Sequence, residues 1–181
     1  MSPVVAVLVV AGLTAAGVLA FRRKSYAETL EGSSAEAAGG RWPYYDLVVK
    51  YAEKYGVEPA LVAAHARVES GWDPLSENLE DPSLDYDSSY GLMQVQLATA
   101  QDFGKVKNYR SATPAEISWL MYPEHNIQVG AWNIARWQKK YSFDVAVQMY
   151  NVGESGYNKY GYRNSKYLAR VKEAYNEYRA G

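Results

Sequence analysis

The 181-residue chain has no cysteine, which excludes disulfides and thiol chemistry. Zero cysteine fits any compartment and assigns none. Histidine is scarce, with His65 and His125 the two examples. No H-E-x-x-H or comparable ligand spacing exists, so neither a catalytic metal nor a cofactor is expected. Charge of one sign is missing as well. With 19 basic and 20 acidic residues the net charge is −1. No global field draws such a chain to nucleic acid, and no nucleic-acid partner is expected. Strictly alternating stretches are absent too, apart from a short turn-rich hairpin expected within residues 81–90.

Aromatic residues are abundant. There are 17 Tyr and 5 Trp. Amphipathic rings suit wet clefts that bind sugars, peptides or bases, and they equally pack with their hydroxyls at the surface. The length suits one ordinary domain.

Residues 4–21, VVAVLVVAGLTAAGVLAF, form an unbroken run without a charged side chain. As a helix this run is about 27 Å long, close to the roughly 30 Å hydrocarbon core of a bilayer. It shows no polar stripe of the kind a globular core helix carries. A secretory signal would place bases before the run. Here Arg22, Arg23 and Lys24 follow it. Residues 1–24 are therefore expected to be a retained single-pass anchor with a basic flank. Residues 25–41, small and polar and containing Gly39-Gly40, are expected to be a flexible linker. The folded domain is expected over residues 42–181.

Within that domain the periodicity is helical. Helices are predicted over residues 44–55 and 59–70, the second opened by Pro59. Thr113-Pro114-Ala115-Glu116 matches a capping box. Further helices are predicted over residues 123–140, 143–151 and 165–179. The fifth stops near Gly153, and the last carries Tyr167, Val171, Ala174 and Tyr178 on one side. The fold class is mostly α.

Glu69 occupies the last turn of the second predicted helix, beside a stripe of Leu61, Ala64, His65 and Val68. A Glu there faces the negative end of the helix dipole. Apolar walls add to that, and both favour the protonated carboxyl. Such a group protonates a leaving oxygen near neutral pH. The alternative is a solvated helix-end residue paired with a base such as Arg67. His65, one turn earlier, either bonds the carboxylate or packs in the core. Six acids and no base lie between Trp72 and Tyr90: Asp73, Glu77, Glu80, Asp81, Asp85 and Asp87. This run reads as a solvated loop or as the source of a second carboxylate. It lacks the Gly and terminal Glu of an EF-hand loop.

Glu69-Ser70, Gly91-Leu92-Met93-Gln94 and Tyr150-Asn151-Val152-Gly153 occur in that order. Asn126-Ile127 lies between the last two, and Tyr167 and Val171 follow. In this series the chain resembles the soluble lytic transglycosylase family, with its lysozyme-like fold, over roughly residues 44–175. Met149 stands where the family usually has Ala. The resemblance implies cleavage of the β-1,4 bond between N-acetylmuramic acid and N-acetylglucosamine in peptidoglycan glycan strands. It implies 1,6-anhydromuramic ends, because the sugar's own 6-hydroxyl attacks the anomeric carbon. It makes Glu69 the catalytic acid and then base. Met93 and Gln94 would line the neighbouring subsite, and Tyr150 would hydrogen-bond near the carboxylate. Asn151 would help hold the cleft, and Ser70 would support the turn after Glu69. Trp72 and Tyr90 are candidate sugar-facing rings.

The long acidic loop departs from the family pattern. Goose-type lysozymes carry Glu and GLMQV with an acid shortly before GLMQV, so Asp85 or Asp87 is a candidate second carboxylate that positions water for hydrolysis with inversion. A wall-binding protein with an inactive lysozyme fold is the non-enzymatic alternative. Location is contested within the sequence itself. Peptidoglycan lies outside the cytoplasm, yet the basic flank argues for a domain on the cytoplasmic side. Three settings remain: a bacterial envelope enzyme that overrides the charge bias, an enzyme made inside the cell and packaged in a phage virion with an internal membrane, and an Ala/Gly-rich anchor that leaves the bilayer during lysis. The charge bias favours the virion.

Overall fold

A computed structural model describes residues 42–79 and 88–180 of the protein. The anchor expected at residues 4–21, its basic flank, the linker over residues 25–41, and Asp85 and Asp87 lie outside the described residues. Among the described residues no helix is long and apolar enough to cross a membrane.

Local signals in the sequence set most helix limits. Helix α1 (Tyr45–Tyr55) buries Val48, Tyr51 and Ala52, an i, i+3, i+4 face, and ends at Gly56. Helix α2 (Pro59–Ser70) starts on its proline and ends at Gly71. It differs from the expected single stripe. Every residue from Ala60 to Ala66 is buried, so the helix is enclosed on all sides through its first turns. Ala60, Ala63, Ala64 and Ala66 have side chains small enough to let neighbours close in around it.

A small antiparallel sheet follows, of strands β1 (Glu77–Asn78), β2 (Ser89–Tyr90) and β3 (Val95–Gln96) in the order β1-β2-β3. Most of the hairpin expected within residues 81–90 lies outside the described residues; its last two residues, Ser89 and Tyr90, form the central strand of this sheet. Tyr90 pairs with Glu77 on one side and with Val95 on the other. Helix α3 (Leu97–Asp102), which the periodicity did not predict, continues directly from β3. Six residues are too short to show a helical period.

Helix α4 (Pro114–Met121) begins in the expected capping box. The Thr113 backbone N–H donates to Glu116 at 2.7 Å, and Thr113 Oγ1 accepts from the Glu116 N–H at 3.2 Å. Helix α5 (Pro123–Gln138) is the long core helix, with Ile127, Val129, Ala131 and Ile134 buried. Helix α6 (Phe143–Glu154) breaks at Gly153, whose φ of 69° and ψ of 165° are non-helical. The helical turn continues past that break through Ser155–Lys159. Helix α7 (Ser165–Ala180) buries Tyr167, Val171 and Ala174 and packs most extensively on α2. The Glu69 end of α2 is thereby enclosed between α7 and the GLMQV segment.

Candidate active site

GLMQV links β2 to β3 beside the end of α2. Gly91 has φ 75°, a left-handed conformation, and a Cβ there would lie 2.6 Å from the Asn126 amide nitrogen. Both facts require glycine. Asn126, on α5 and fully buried, holds the segment. Its Oδ1 accepts from the Met93 N–H at 2.7 Å. Its Nδ2 donates to the Tyr90 carbonyl at 2.7 Å and the Leu120 carbonyl at 3.0 Å. The Asn-Ile pair seen in sequence is therefore a clamp for the loop rather than a lining residue of the cleft.

Met93 does not line the cleft through its side chain, contrary to expectation. The side chain is fully buried and packs against Gly130, where a Cβ would sit 2.3 Å from the Met93 sulfur. The Met93 carbonyl accepts from the hydroxyl of the cleft-lining Tyr150 at 2.7 Å. Gln94 borders the cleft, with a left-handed φ of 44°. Its amide is engaged within the loop. Nε2 donates to the carbonyls of Ser76 and Gly91, each at 3.0 Å. Oε1 accepts from the Ser89 hydroxyl at 3.0 Å. Ser70 Oγ donates to the Leu92 carbonyl at 2.8 Å, which ties the end of α2 to the loop. Asn151 is exposed at the cleft edge, and its Oδ1 accepts from Asn164 at 2.8 Å.

The two rings expected to face sugar are occupied elsewhere. Trp72 has a left-handed φ of 71° and donates to the Tyr178 hydroxyl at 3.2 Å, outside the cleft. Tyr90 is buried at 6% exposure, with its backbone in the sheet.

Glu69, Gln94, Tyr150 and Asn151 border an open cleft of about 480 Å³. Its wall is mostly neutral and polar: Asn78, Ser89, Gln96, Thr99 and Asn133 join the residues already named. Glu69 is the one carboxylate among the described lining residues. Asn133 is buried at 6% exposure, and its Oδ1 has no partner among the described residues. Sequence reasoning missed it because it lies within the apolar face of α5.

Tyr167 was also missed as a site residue, although it was placed on the inner face of the last helix. Its hydroxyl donates to Glu69 Oε1 at 2.5 Å. The sequence did contain a sign of this, since a buried Tyr in place of Phe needs a partner for its hydroxyl. Behind it, His65 Nδ1 lies 2.8 Å from the same hydroxyl oxygen. His65 therefore touches the carboxylate only through Tyr167.

Burial pushes the Glu69 carboxyl up to about 7, against the opposing pull of the Tyr167 hydrogen bond and the Arg170 charge. Burial, and then the Glu69 charge, hold the Tyr150 and Tyr167 hydroxyls well above the usual range, so both stay protonated as donors. The arrangement presents one carboxylic acid that is protonated near neutrality and opens onto a polar cleft, with a hydroxyl ready to stabilise its anion. Among the described residues no three His, Asp or Glu side chains converge as a metal ion would need.

Residues 46–176 match the family described as transglycosylase SLT domain. Curated relatives include the membrane-bound lytic murein transglycosylase C of Edwardsiella ictaluri, 34% identical over 98 residues, covering 54% of this chain and 25% of that protein. The protein of the same description from Yersinia pestis is 36% identical over 99 residues, with 54% and 25% covered. The match thus spans about a quarter of the length of these relatives. Among solved structures, the complex of the 70-kDa soluble lytic transglycosylase with bulgecin A superimposes with a TM-score of 0.54 at 22% identity, covering 76% of this chain and 24% of that one. That likeness is one of fold.

Proposed function

The chain belongs to the transglycosylase SLT domain family, and from that membership we propose that it cleaves the β-1,4 bond between N-acetylmuramic acid and N-acetylglucosamine in peptidoglycan, leaving 1,6-anhydromuramic ends. The observation that carries this reading is Glu69, a carboxyl with a pKa of about 7 at the wall of a neutral polar cleft. Its proton goes to the glycosidic oxygen as that bond breaks. The carboxylate then takes the proton of the muramic 6-hydroxyl as its oxygen bonds to the anomeric carbon, with the 2-acetamido group assisting. Tyr167 donates to the carboxylate during the interval when it is charged. An intramolecular nucleophile has a high effective molarity, so no water need be positioned. Acid assistance of this kind contributes about 10² to 10⁴ in rate.

The residues bordering the cleft favour neutral hydroxyl- and amide-bearing ligands over charged ones. Ser70, Met93, Gln94 and Asn151 act mainly by building the cleft, and Tyr150 by bonding the Met93 carbonyl. We propose that residues 4–21 anchor the domain in a membrane. The named relatives are bacterial and described as membrane-bound, which supports an envelope setting. The virion setting rests on Arg22, Arg23 and Lys24 alone.

Mass spectrometry of peptidoglycan digested by the protein tests the reaction. Anhydromuramic ends are expected. Reducing muramic ends would replace transglycosylation by hydrolysis and assign water activation to Asp85 or Asp87, which precede the cleft-lining Ser89. Binding of cell walls without any cleavage would leave only the wall-binding alternative.

A further inference from the structure

His65 is buried at 1% exposure and has no part in the reaction as described. It sits one turn before Glu69, its ring 4.5 Å from the ring of Tyr150 and its Nδ1 2.8 Å from the Tyr167 hydroxyl. Burial drives its pKa down to about 3, so the imidazole is neutral and carries one N–H. The Tyr167 hydroxyl likewise has one proton to give. Two arrangements satisfy both groups. In the first, His65 Nδ1–H donates to Tyr167, and Tyr167 donates to Glu69 Oε1. In the second, the imidazole proton is on Nε2, Tyr167 donates to Nδ1, and a protonated Glu69 donates to Tyr167.

The two differ in where the acid proton of Glu69 points. In the second it is directed at the phenol and is withheld from the cleft. In the first Oε1 is occupied as an acceptor, and the proton resides on Oε2, which has no protein partner among the described residues. Once Glu69 is ionised it can only accept, so the second arrangement fails in the base half of the reaction. The 2.5 Å separation of Tyr167 from Oε1 lies in the range of a hydroxyl donating to a carboxylate. Resting on the proposed function, we propose that His65 is a positioning residue: its Nδ1–H fixes the Tyr167 hydroxyl as a donor to Glu69 Oε1 and so keeps Oε2 as the proton-bearing atom. Every proton stays on its own heavy atom until substrate arrives. The charged and titratable groups facing Glu69 are Tyr167 and Arg170 from α7, Tyr150 from α6 and His65 from its own helix.

The tautomer is read directly by long-range proton–nitrogen NMR on the full chain in detergent, with histidine labelled in ¹⁵N. Only two His signals need assignment, and His125→Gln separates them. A neutral His65 protonated at Nδ1 at pH 6 and pH 8 is expected. Protonation at Nε2 would overturn the proposal. This measurement stands whether or not the chain cleaves peptidoglycan, so loss of the proposed function and loss of this inference are distinguishable. In turnover, His65→Leu removes the donor, and kcat is expected to fall about 3- to 10-fold with KM unchanged, the worth of one buried hydrogen bond. His65→Asn keeps an N–H near the Nδ1 position and is expected to retain most of kcat. Equal losses in both variants, tracking a shared fall in Tm, would make His65 a packing residue and refute the role, as would an unchanged kcat in His65→Leu.

Discussion

Replacing Glu69 by Gln tests whether burial holds the acid proton. The carboxyl rises from 4.5 to about 7 on folding, with burial the main cause. A carboxyl with a raised folded pKa binds its proton more tightly in the folded state. Stability therefore declines as pH rises from the unfolded value through the folded one, here from about 4.5 to about 7. At 1.36 kcal/mol per pKa unit, the full penalty above that window is about 3 kcal/mol. Glutamine is neutral at every pH and still offers Oε1 to the Tyr167 hydroxyl. The variant should match the parent in unfolding free energy at pH 4 and exceed it by about 3 kcal/mol at pH 8.5, with the difference growing through the window. Urea titrations followed by tryptophan fluorescence at a series of pH values provide the assay. A difference that does not change with pH would refute a burial-raised carboxyl. So would a variant less stable than the parent at pH 8.5, which would show that the ionised form is favoured by its surroundings. Cleavage should be lost in the same variant while binding to cell walls is kept.

Three further outcomes follow from the packing. Asn126→Ala leaves the Met93 N–H and the Tyr90 and Leu120 carbonyls without their partner, and should cost about 3 kcal/mol or more in urea unfolding, because each buried orphan costs about 1–3 kcal/mol. Gly130→Ala places a methyl against Met93 and should cost about 1–3 kcal/mol. Combined with Met93→Ala it should cost less than the sum of the two single changes, and strict additivity in the double-mutant cycle would show that the contact is absent. Asn133→Leu removes a buried oxygen that has no partner among the described residues and should raise stability by about 1 kcal/mol, while KM for peptidoglycan rises because the cleft loses an amide. An unchanged KM would remove Asn133 from the binding surface.

Much of the fold is legible where one residue decides a local geometry. Pro59, the Thr113–Glu116 capping box and Pro123 start helices where their chemistry requires. Gly153 breaks α6 at the expected place because its backbone takes a conformation disfavoured for other residues. The position of Glu69 in the last turn of a helix was likewise readable from the apolar spacing before it. The order of Glu69-Ser70, GLMQ and Tyr150-Asn151 pointed to the family before any contact was known. Loop side chains were less legible. GLMQV contains two left-handed residues, Gly91 and Gln94, so its side chains follow no period, and Met93 turns into the core while Gln94 is spent on its own turn.

The sequence by itself determined most helix starts, the place of Glu69 in the last turn of a helix, and the family. Only the tertiary structure decided what surrounds the acid. Tyr167 is 98 positions from Glu69, and no local rule connects two helices that far apart in the chain. The contact exists because α7 packs its Tyr167–Val171–Ala174 face on α2, which buries the carboxyl and brings a hydroxyl against it in one step. A carboxyl's pKa depends on the groups packed around it, so the feature that makes Glu69 an acid near neutrality appears only when the chain has folded.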